Sequence, residues 1–299
     1  MKPKRVSRIQ YRVSIKEKRV QTKHFKILKK ENLAPQIKLF RIRVPHIASK
    51  FGAGQFVVVR LNETGERIPL TIAEHNPEEG SITIVIQEVG KTTIQLGKMK
   101  EGETIEDILG PLGIPSPIKK IGTVLCVGGG LGVAPLYPEA RKYKEAGNKV
   151  ISLIGAKSKN FFFFKERMER VSDEVLYSTD DGSFGHHGFV TDLVRKVLDR
   201  KEKIEEVIAI GPLPMMKAVS ELTKKHDIET RVSLNSIMVD ATGMCGGCRV
   251  TVGGKVKFTC VDGPGFDGHK VDFDELILRQ KRFEKEEKIA LNATSSLAL

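Results

Sequence analysis

Residues 121–127, Ile-Gly-Thr-Val-Leu-Cys-Val, form an apolar run of strand length that leads straight into Gly128-Gly-Gly-Leu-Gly-Val-Ala-Pro135. A buried strand, a glycine turn and then an amphipathic stretch ending near Gly147 constrain the chain more than any other feature. Parallel strands need a crossover, usually helical, to bring the chain back into pairing. The alternation continues, with apolar strands expected at 150–154, 175–177 and 207–210 and helical segments at 161–171 and 189–200. This predicts an α/β doubly wound domain over 120–229.

A glycine turn between a strand and a helix places unpaired backbone N–H groups and the positive helix end where a phosphate can reach them. Gly129, Gly130, Gly132, Val133, Ala134 and Pro135 are therefore candidate nucleotide-binding positions, although the pattern is not a clean G-x-G-x-x-G and a purely structural turn is the alternative. Gly211-Pro-Leu-Pro-Met-Met216 follows the fourth strand at the carboxyl edge where such sheets bind ligands, adding Gly211, Pro212 and Met215.

Upstream, residues 24–119 read as short strands between Gly, Pro, Asn and Asp turns. Residues 55–61 are β-branched and apolar, and Ser81–Gln87 alternates, with Ile82, Ile84 and Ile86 on one face. With no long helical period, this segment is expected to form an antiparallel β-barrel, with a sandwich as the alternative.

The segment 230–299 carries three of the four cysteines, in the pattern Asp240-x4-Cys245-x2-Cys248-x11-Cys260. Three thiolates select zinc or an iron–sulfur cluster. The spacing is that of a plant-type 2Fe–2S site if Asp240 takes the first cysteine position, and a carboxylate can coordinate ferric iron. Arg249–Val252 and Lys255–Phe258 should pair as a hairpin through Gly253-Gly254. A charged surface helix is expected at 274–288, followed by a frayed tail from Asn292. The fourth cysteine, Cys126, reads as a small core residue.

The net charge of +13 suggests nucleic acid, but the first 30 residues hold twelve Lys and Arg against one acid, Glu17, and the other 269 carry only +2. Residues 1–23 are thus expected to be a disordered basic extension outside the folded body. They contain no apolar stretch of signal-peptide type, and no run in the chain approaches the ~20 apolar residues of a membrane span. A cytoplasmic protein is expected, with no basic face for nucleic acid.

The order of a β domain, a nucleotide domain with G-G-G-L-G-V-A-P and G-P-L-P-M-M, and a three-cysteine module resembles the ferredoxin reductase-like flavoproteins. Within them it resembles the electron-transfer subunits of NAD-dependent dihydroorotate dehydrogenase and, more closely, the small subunits of NADH-dependent ferredoxin:NADP oxidoreductase (sulfide dehydrogenase type). Asp240 favours the second branch, because the first normally has Cys there. The resemblance implies FAD on the barrel, held by Arg67, Pro69, Leu70 and Thr71, by Gln87 and Val89, and by Gly90, Lys91, Thr92 and Thr93. Thr71 would hydrogen-bond the flavin ring, and Lys91 with the amides and hydroxyls of Thr92 and Thr93 would hold the pyrophosphate. Arg67 precedes Thr71 by four residues, where the family pattern has three.

The resemblance further implies NAD(H) or NADP(H), a 2Fe–2S cluster on Asp240, Cys245, Cys248 and Cys260, and no catalytic acid, base or nucleophile. It implies a larger catalytic flavin and iron–sulfur subunit as partner, ferredoxin reached through that complex, and electron bifurcation performed mainly in the larger subunit. The alternatives are a dihydroorotate dehydrogenase subunit and, in a different class, a zinc-containing basic nucleic-acid-binding protein. Gly110-Pro-Leu-Gly113 matches a family turn before the nucleotide domain, and Asp180-Asp-Gly-Ser-Phe-Gly185 recurs beside the dinucleotide site. His186 and His187 read as solvent-facing loop residues. Phe161–Phe164 are expected at a helix start, packing partly into the core and partly against a partner, and Lys157 and Lys159 follow the second strand without deciding between NADH and NADPH.

Overall fold

The computed structural model describes residues 25–296, and the basic extension expected at 1–23 lies outside them. Seven antiparallel strands come first: β1 (Phe25–Ala34), β2 (Ile37–Arg43), β3 (Phe56–Arg60), β4 (Arg67–Asn76), β5 (Ser81–Gln87), β6 (Thr104–Ile105) and β7 (Asp107–Leu112). Their order is β6-β1-β2-β5-β4-β3-β7. The two edge strands are separated in sequence by Glu106 alone, so the sheet curls until its edges nearly meet. A nearly closed barrel results, which leaves little unpaired edge. Helix α1 (Pro45–Ala48) links β2 to β3, and α2 (Lys91–Lys98) links β5 to β6. The turn expected at 110–113 is largely the end of β7.

The alternation of β5 sorts two cores. Ile82, Ile84 and Ile86 face the barrel interior with Phe40, Ile42, Val57 and Val59. Val85 faces outward with Leu39 and Ala73, and these pack with Tyr137 and Ala140 of the next domain. A strand expected to bury one face is therefore covered on both.

That domain holds a second seven-stranded sheet, built from β8 (Thr123–Gly129), β9 (Lys149–Ala156), β10 (Glu174–Thr179), β11 (His186–His187), β12 (Glu206–Ile210), β13 (Glu229–Ser233) and, from the cysteine segment, β16 (Gly265–Asp267). The order β11-β10-β9-β8-β12-β13-β16 has the chain leaving β8 toward β9 and later returning on its other side as β12. Helices α3 (Val133–Glu145), α4 (Lys165–Val171), α5 (Val190–Leu198) and α6 (Leu213–Lys224) cover it. Phe163 and Phe164 are buried, but they precede α4, and Phe164 adopts a left-handed φ of 58° just before the first turn. Cys126 is fully buried, as expected of a core residue.

The expected boundary at 230 falls inside β13. The cysteine segment is tied to the nucleotide sheet, because β16 pairs antiparallel with β13 through Val232 and Phe266. Its hairpin, β14 (Arg249–Val252) and β15 (Lys255–Phe258), turns on Gly253 and Gly254 at φ 57° and 73°, the positive pair that a type I′ turn requires. Helices α7 (Thr259–Asp262), α8 (Phe273–Gln280) and α9 (Glu284–Ser296) complete the described chain. The helix expected at 274–288 is broken at Lys281–Phe283, and α9 continues to Ser296 where a frayed tail was expected from Asn292.

A buried ionic cluster joins the parts. Arg231 on β13 reaches Glu139 of α3 at 3.0 Å, Glu206 of β12 at 3.1 Å and the hydroxyl oxygen of Tyr143 at 3.1 Å. It also donates to Ser116 in the interdomain connection, whose own N–H is bonded to the carbonyl of Ala53. Burial opposes the charge on Arg231, but the flanking Glu139, Tyr143 and Glu206 hold its pKa above the ordinary arginine value.

Candidate functional site

The two glycine motifs, about eighty residues apart in sequence, meet at the point where the strand order reverses. Ile210 pairs with Gly128 at the carboxyl ends of β12 and β8. A Cβ on Gly211 would lie 3.1 Å from the backbone of Gly129, and one on Gly129 would lie 2.4 Å from the Met215 sulfur. Met215 thus lies across both turns, which only glycine allows. Gly130, at φ 54°, faces open space. Helices α3 and α6 both begin here, at Val133 and Leu213, so two positive helix ends converge on one crevice. Val133 and Ala134 are buried in the first turn of α3, and Pro135 follows them. Pro212, the N-cap of α6, is exposed.

The barrel positions divide by face. Cross-strand partners share a face of a sheet. Phe56 pairs with Thr71, Val58 with Pro69 and Arg60 with Arg67, whereas Val57 pairs with Leu70. Since Val57 and Val59 line the barrel interior together with Ile68 and Leu70, the outer face presents Arg67, Pro69 and Thr71. Leu70, expected among the flavin contacts, therefore points its side chain into the barrel.

At the end of β5, Gln87 is half-buried and Val89 is 62% exposed, with Gly90 capping α2. The Thr93 hydroxyl accepts the N–H groups of Gly90 at 3.0 Å and Val89 at 3.2 Å, and that of Thr92 donates to Glu66 at 2.8 Å. Both hydroxyls expected at a pyrophosphate hold this turn together, beside Lys91 and the helix amides. Neither the Arg67 guanidinium nor the Lys91 ammonium has an ion-pair or hydrogen-bond partner among the described residues. Two unpaired cations near an open helix end fit an anionic ligand.

Among the cysteines, Cys248 and Cys260 are buried with their sulfurs 3.2 Å apart, and Cys245 is exposed. Burial and the neighbouring Cys248 push the Cys260 thiol up to about 12. Two thiols this close cannot both ionise without a cation to share their charge. Asp240 accepts the N–H of Thr242 at 2.9 Å and that of Cys245 at 2.8 Å. Those two bonds, the first foremost, hold its carboxyl below the usual carboxylate range against its slight burial. The described residues contain no group of three His, Cys, Asp or Glu side chains that could hold a metal ion. Only Cys248 and Cys260 stand with their sulfurs together, while Asp240 is tied to the Cys245 loop through the backbone N–H of Cys245; three thiols and a carboxylate are a donor set whose chemistry suits a two-iron cluster.

The buried pair packs on the outer face of the barrel. Cys248 and Cys260 share one apolar cluster with Phe56, Val58, Met238 and Ala241. Sequence reasoning missed these four residues. The available signal was the apolar run Phe56-Val-Val-Val59, which is apolar on both faces of its strand and so calls for cover on both.

Comparison with known proteins gives two family matches. Residues 24–115 match the oxidoreductase FAD-binding domain, and residues 235–272 match the iron–sulfur cluster binding domain of dihydroorotate dehydrogenase B. A dihydroorotate dehydrogenase B (NAD(+)) electron transfer subunit homolog from Thermotoga maritima is 48% identical over 264 residues, covering 88% of this chain and 93% of the relative. The corresponding electron transfer subunit of Fusobacterium nucleatum is 33% identical over 74% of this chain and 87% of its own.

The chain belongs to the dihydroorotate dehydrogenase B electron-transfer subunit family. A chain from a solved NADH-dependent reduced ferredoxin-NADP oxidoreductase, studied for flavin-based electron bifurcation, is 47% identical with a TM-score of 0.86, covering 90% of this chain and 97% of that one. The cytochrome b5 reductase domain of Ulva prolifera nitrate reductase, 18% identical with a TM-score of 0.56 over 69% and 93% of the two chains, shares the fold. Like its family, the chain is an oxidoreductase electron-transfer subunit with FAD-binding and iron–sulfur domains and a nicotinamide-binding reductase fold. The zinc-bearing nucleic-acid alternative gains no support, since the three-cysteine segment matches an iron–sulfur model. Among the described residues no helix is long and apolar enough to cross a membrane.

Proposed function

We propose that this subunit passes electrons from a reduced nicotinamide dinucleotide to a partner protein by way of FAD and a 2Fe–2S cluster. The observation that carries the reading is the placement of Cys248 and Cys260 on the same outer barrel face as Thr71. Gly129–Gly132 and Gly211 bring the backbone N–H groups of two helix starts to the dinucleotide phosphates. Arg67 and Lys91 offset the charge of the flavin pyrophosphate. Asp240, Cys245, Cys248 and Cys260 ligate the cluster, with Asp240 holding the Cys245 loop through its backbone bonds. When bound, the flavin accepts two electrons as hydride and returns them singly, and the cluster carries one at a time. No side chain of this chain needs to act as acid, base or nucleophile.

The carboxylate at Asp240 and the 47% identity to the ferredoxin-NADP oxidoreductase chain favour an assembly with a larger flavin and iron–sulfur subunit, exchanging electrons among NADH, NADPH and ferredoxin. The second reading, a dihydroorotate dehydrogenase assembly, is favoured by the name of the Thermotoga maritima relative. The test is the visible spectrum of the anaerobically purified chain, followed by assay of the complex that co-purifies. Flavin bands with a broad cluster shoulder, the shoulder lost in Cys248→Ser, are expected. A colourless protein would overturn the reading. NADH-driven ferredoxin turnover supports the first assembly, and dihydroorotate oxidation the second.

A further inference from the structure

Phe56 pairs with the strand expected to seat the flavin and belongs to the apolar cluster that holds the thiols expected to seat the cluster. In β3 it is the Cα partner of Thr71 on one side and of Leu112 on the other. The ring stands on the outer face beside Thr71. It is 3% exposed and packs in the apolar cluster that holds Cys248 and Cys260. Its seat is fixed from the far side as well. A Cβ at Gly113 would come 3.0 Å from the Phe56 ring and 2.9 Å from the carbonyl of Gly263, and Gly113 has a φ of 78° that also favours glycine. The next N–H, of Ile114, bonds that Gly263 carbonyl at 2.6 Å, three residues beyond Cys260. The loop that follows the cysteines is thus pinned to the chain that runs behind the ring.

We propose that Phe56 is the positioning residue that fixes the separation between the flavin strand and the cluster thiols, and thereby the rate of electron passage between them. The proposal rests on the function argued above. Each passage moves one electron, oxidising the flavin by one and reducing the cluster by one, with the electrons supplied as hydride by NADH. Val58 shares the face and the apolar cluster, but its partner in β4 is Pro69, so it lies one step further from Thr71.

The test uses the full chain with both groups bound, mixed anaerobically with NADH in a stopped-flow cell that follows flavin and cluster bands separately. Phe56→Ala is expected to leave flavin reduction unchanged and to lower the ratio of cluster reduction to flavin reduction several-fold, because tunnelling between two fixed groups weakens with each added ångström of separation. The electron paramagnetic resonance signal of the reduced cluster should shift in line shape. Phe56→Met, which restores most of the volume, should recover most of the rate, while Val57→Ala, on the inner face, should lower stability without separating the two phases. If Phe56→Ala fails to retain both groups, Phe56→Leu takes its place with the same ratio read. A wild-type ratio of cluster to flavin reduction in the variant would overturn the proposal. Absence of either group from the wild-type chain would instead overturn the function on which it rests.

Discussion

Gly132 backs directly onto Ile210: a Cβ at position 132 would stand 2.1 Å from the Ile210 carbonyl oxygen. The start of α3 is therefore pressed against the end of β12, and the crevice between the two glycine turns exists only at this spacing. Gly132→Ala must push α3 away from the sheet, costing about 1–3 kcal/mol as overpacked cores do. Thermal unfolding should show the loss, and calorimetric titration with NADH should show weaker binding. Wild-type affinity in a folded Gly132→Ala protein would refute this account of the crevice.

Thr93 satisfies two N–H groups at the start of α2. Thr93→Ala leaves those of Gly90 and Val89 without their side-chain acceptor, a loss of about 1 kcal/mol by analogy with other helix caps. Because the same turn is proposed to meet the flavin pyrophosphate, FAD should dissociate faster on dilution, read as a rise in free-flavin fluorescence. Release at the wild-type rate would separate the cap from the flavin site.

Arg231 neutralises Glu139 and Glu206, whose side chains are only 2% and 9% exposed. Arg231→Met strands both carboxylates, and breaking a buried pair in this way costs about 3–5 kcal/mol. A large fall in denaturant midpoint is expected, accompanied by easier proteolysis near Ser116. An unchanged midpoint would show that the cluster contributes nothing net to stability.

Asp173 joins two elements, pairing with Lys144 of α3 at 2.5 Å and accepting the Val150 N–H at 2.8 Å. Partial burial works against its charge, but these bonds outweigh it and set its pKa below the ordinary carboxylate value. A depressed folded pKa contributes stability above the unfolded pKa and loses it as pH falls through the folded one. Between about pH 5 and pH 2 the wild type should lose more stability than Asp173→Asn, which is weaker at neutral pH but has no such charge to lose. Parallel urea midpoints across that range would count against the role of Asp173.

The strand, turn and helix at 121–135 were legible because each carries its own local signal: β-branched residues, glycines, and an amphipathic period. The hairpin at Gly253-Gly254 was legible for the same reason, since two positive-φ residues encode their turn. What local pattern could not supply was the choice of partner. Nothing in Gly265–Asp267 announces that it pairs with β13, more than thirty residues earlier, and nothing in Arg231 reveals that carboxylates from α3 and β12 converge on it. Leu70 is expected at the flavin by its place in a motif, and the pairing of Val57 with Leu70, which turns its side chain inward, leaves its backbone for that contact. The break at Lys281–Phe283 carries no Gly or Pro to mark it.

The pairing of β16 with β13 has a bearing on protein engineering. A cysteine loop bounded by a family model at 235–272 invites transplantation onto another flavoprotein. Excised at those limits, it would leave the hydrogen-bonding edge of β13 bare and take its own third strand away from the strand it pairs with. It would also lose the wall of Phe56 and Val58 that shelters its sulfurs. The segment is no portable cassette, and a working graft would have to carry the host strand and the barrel ribbon along with it.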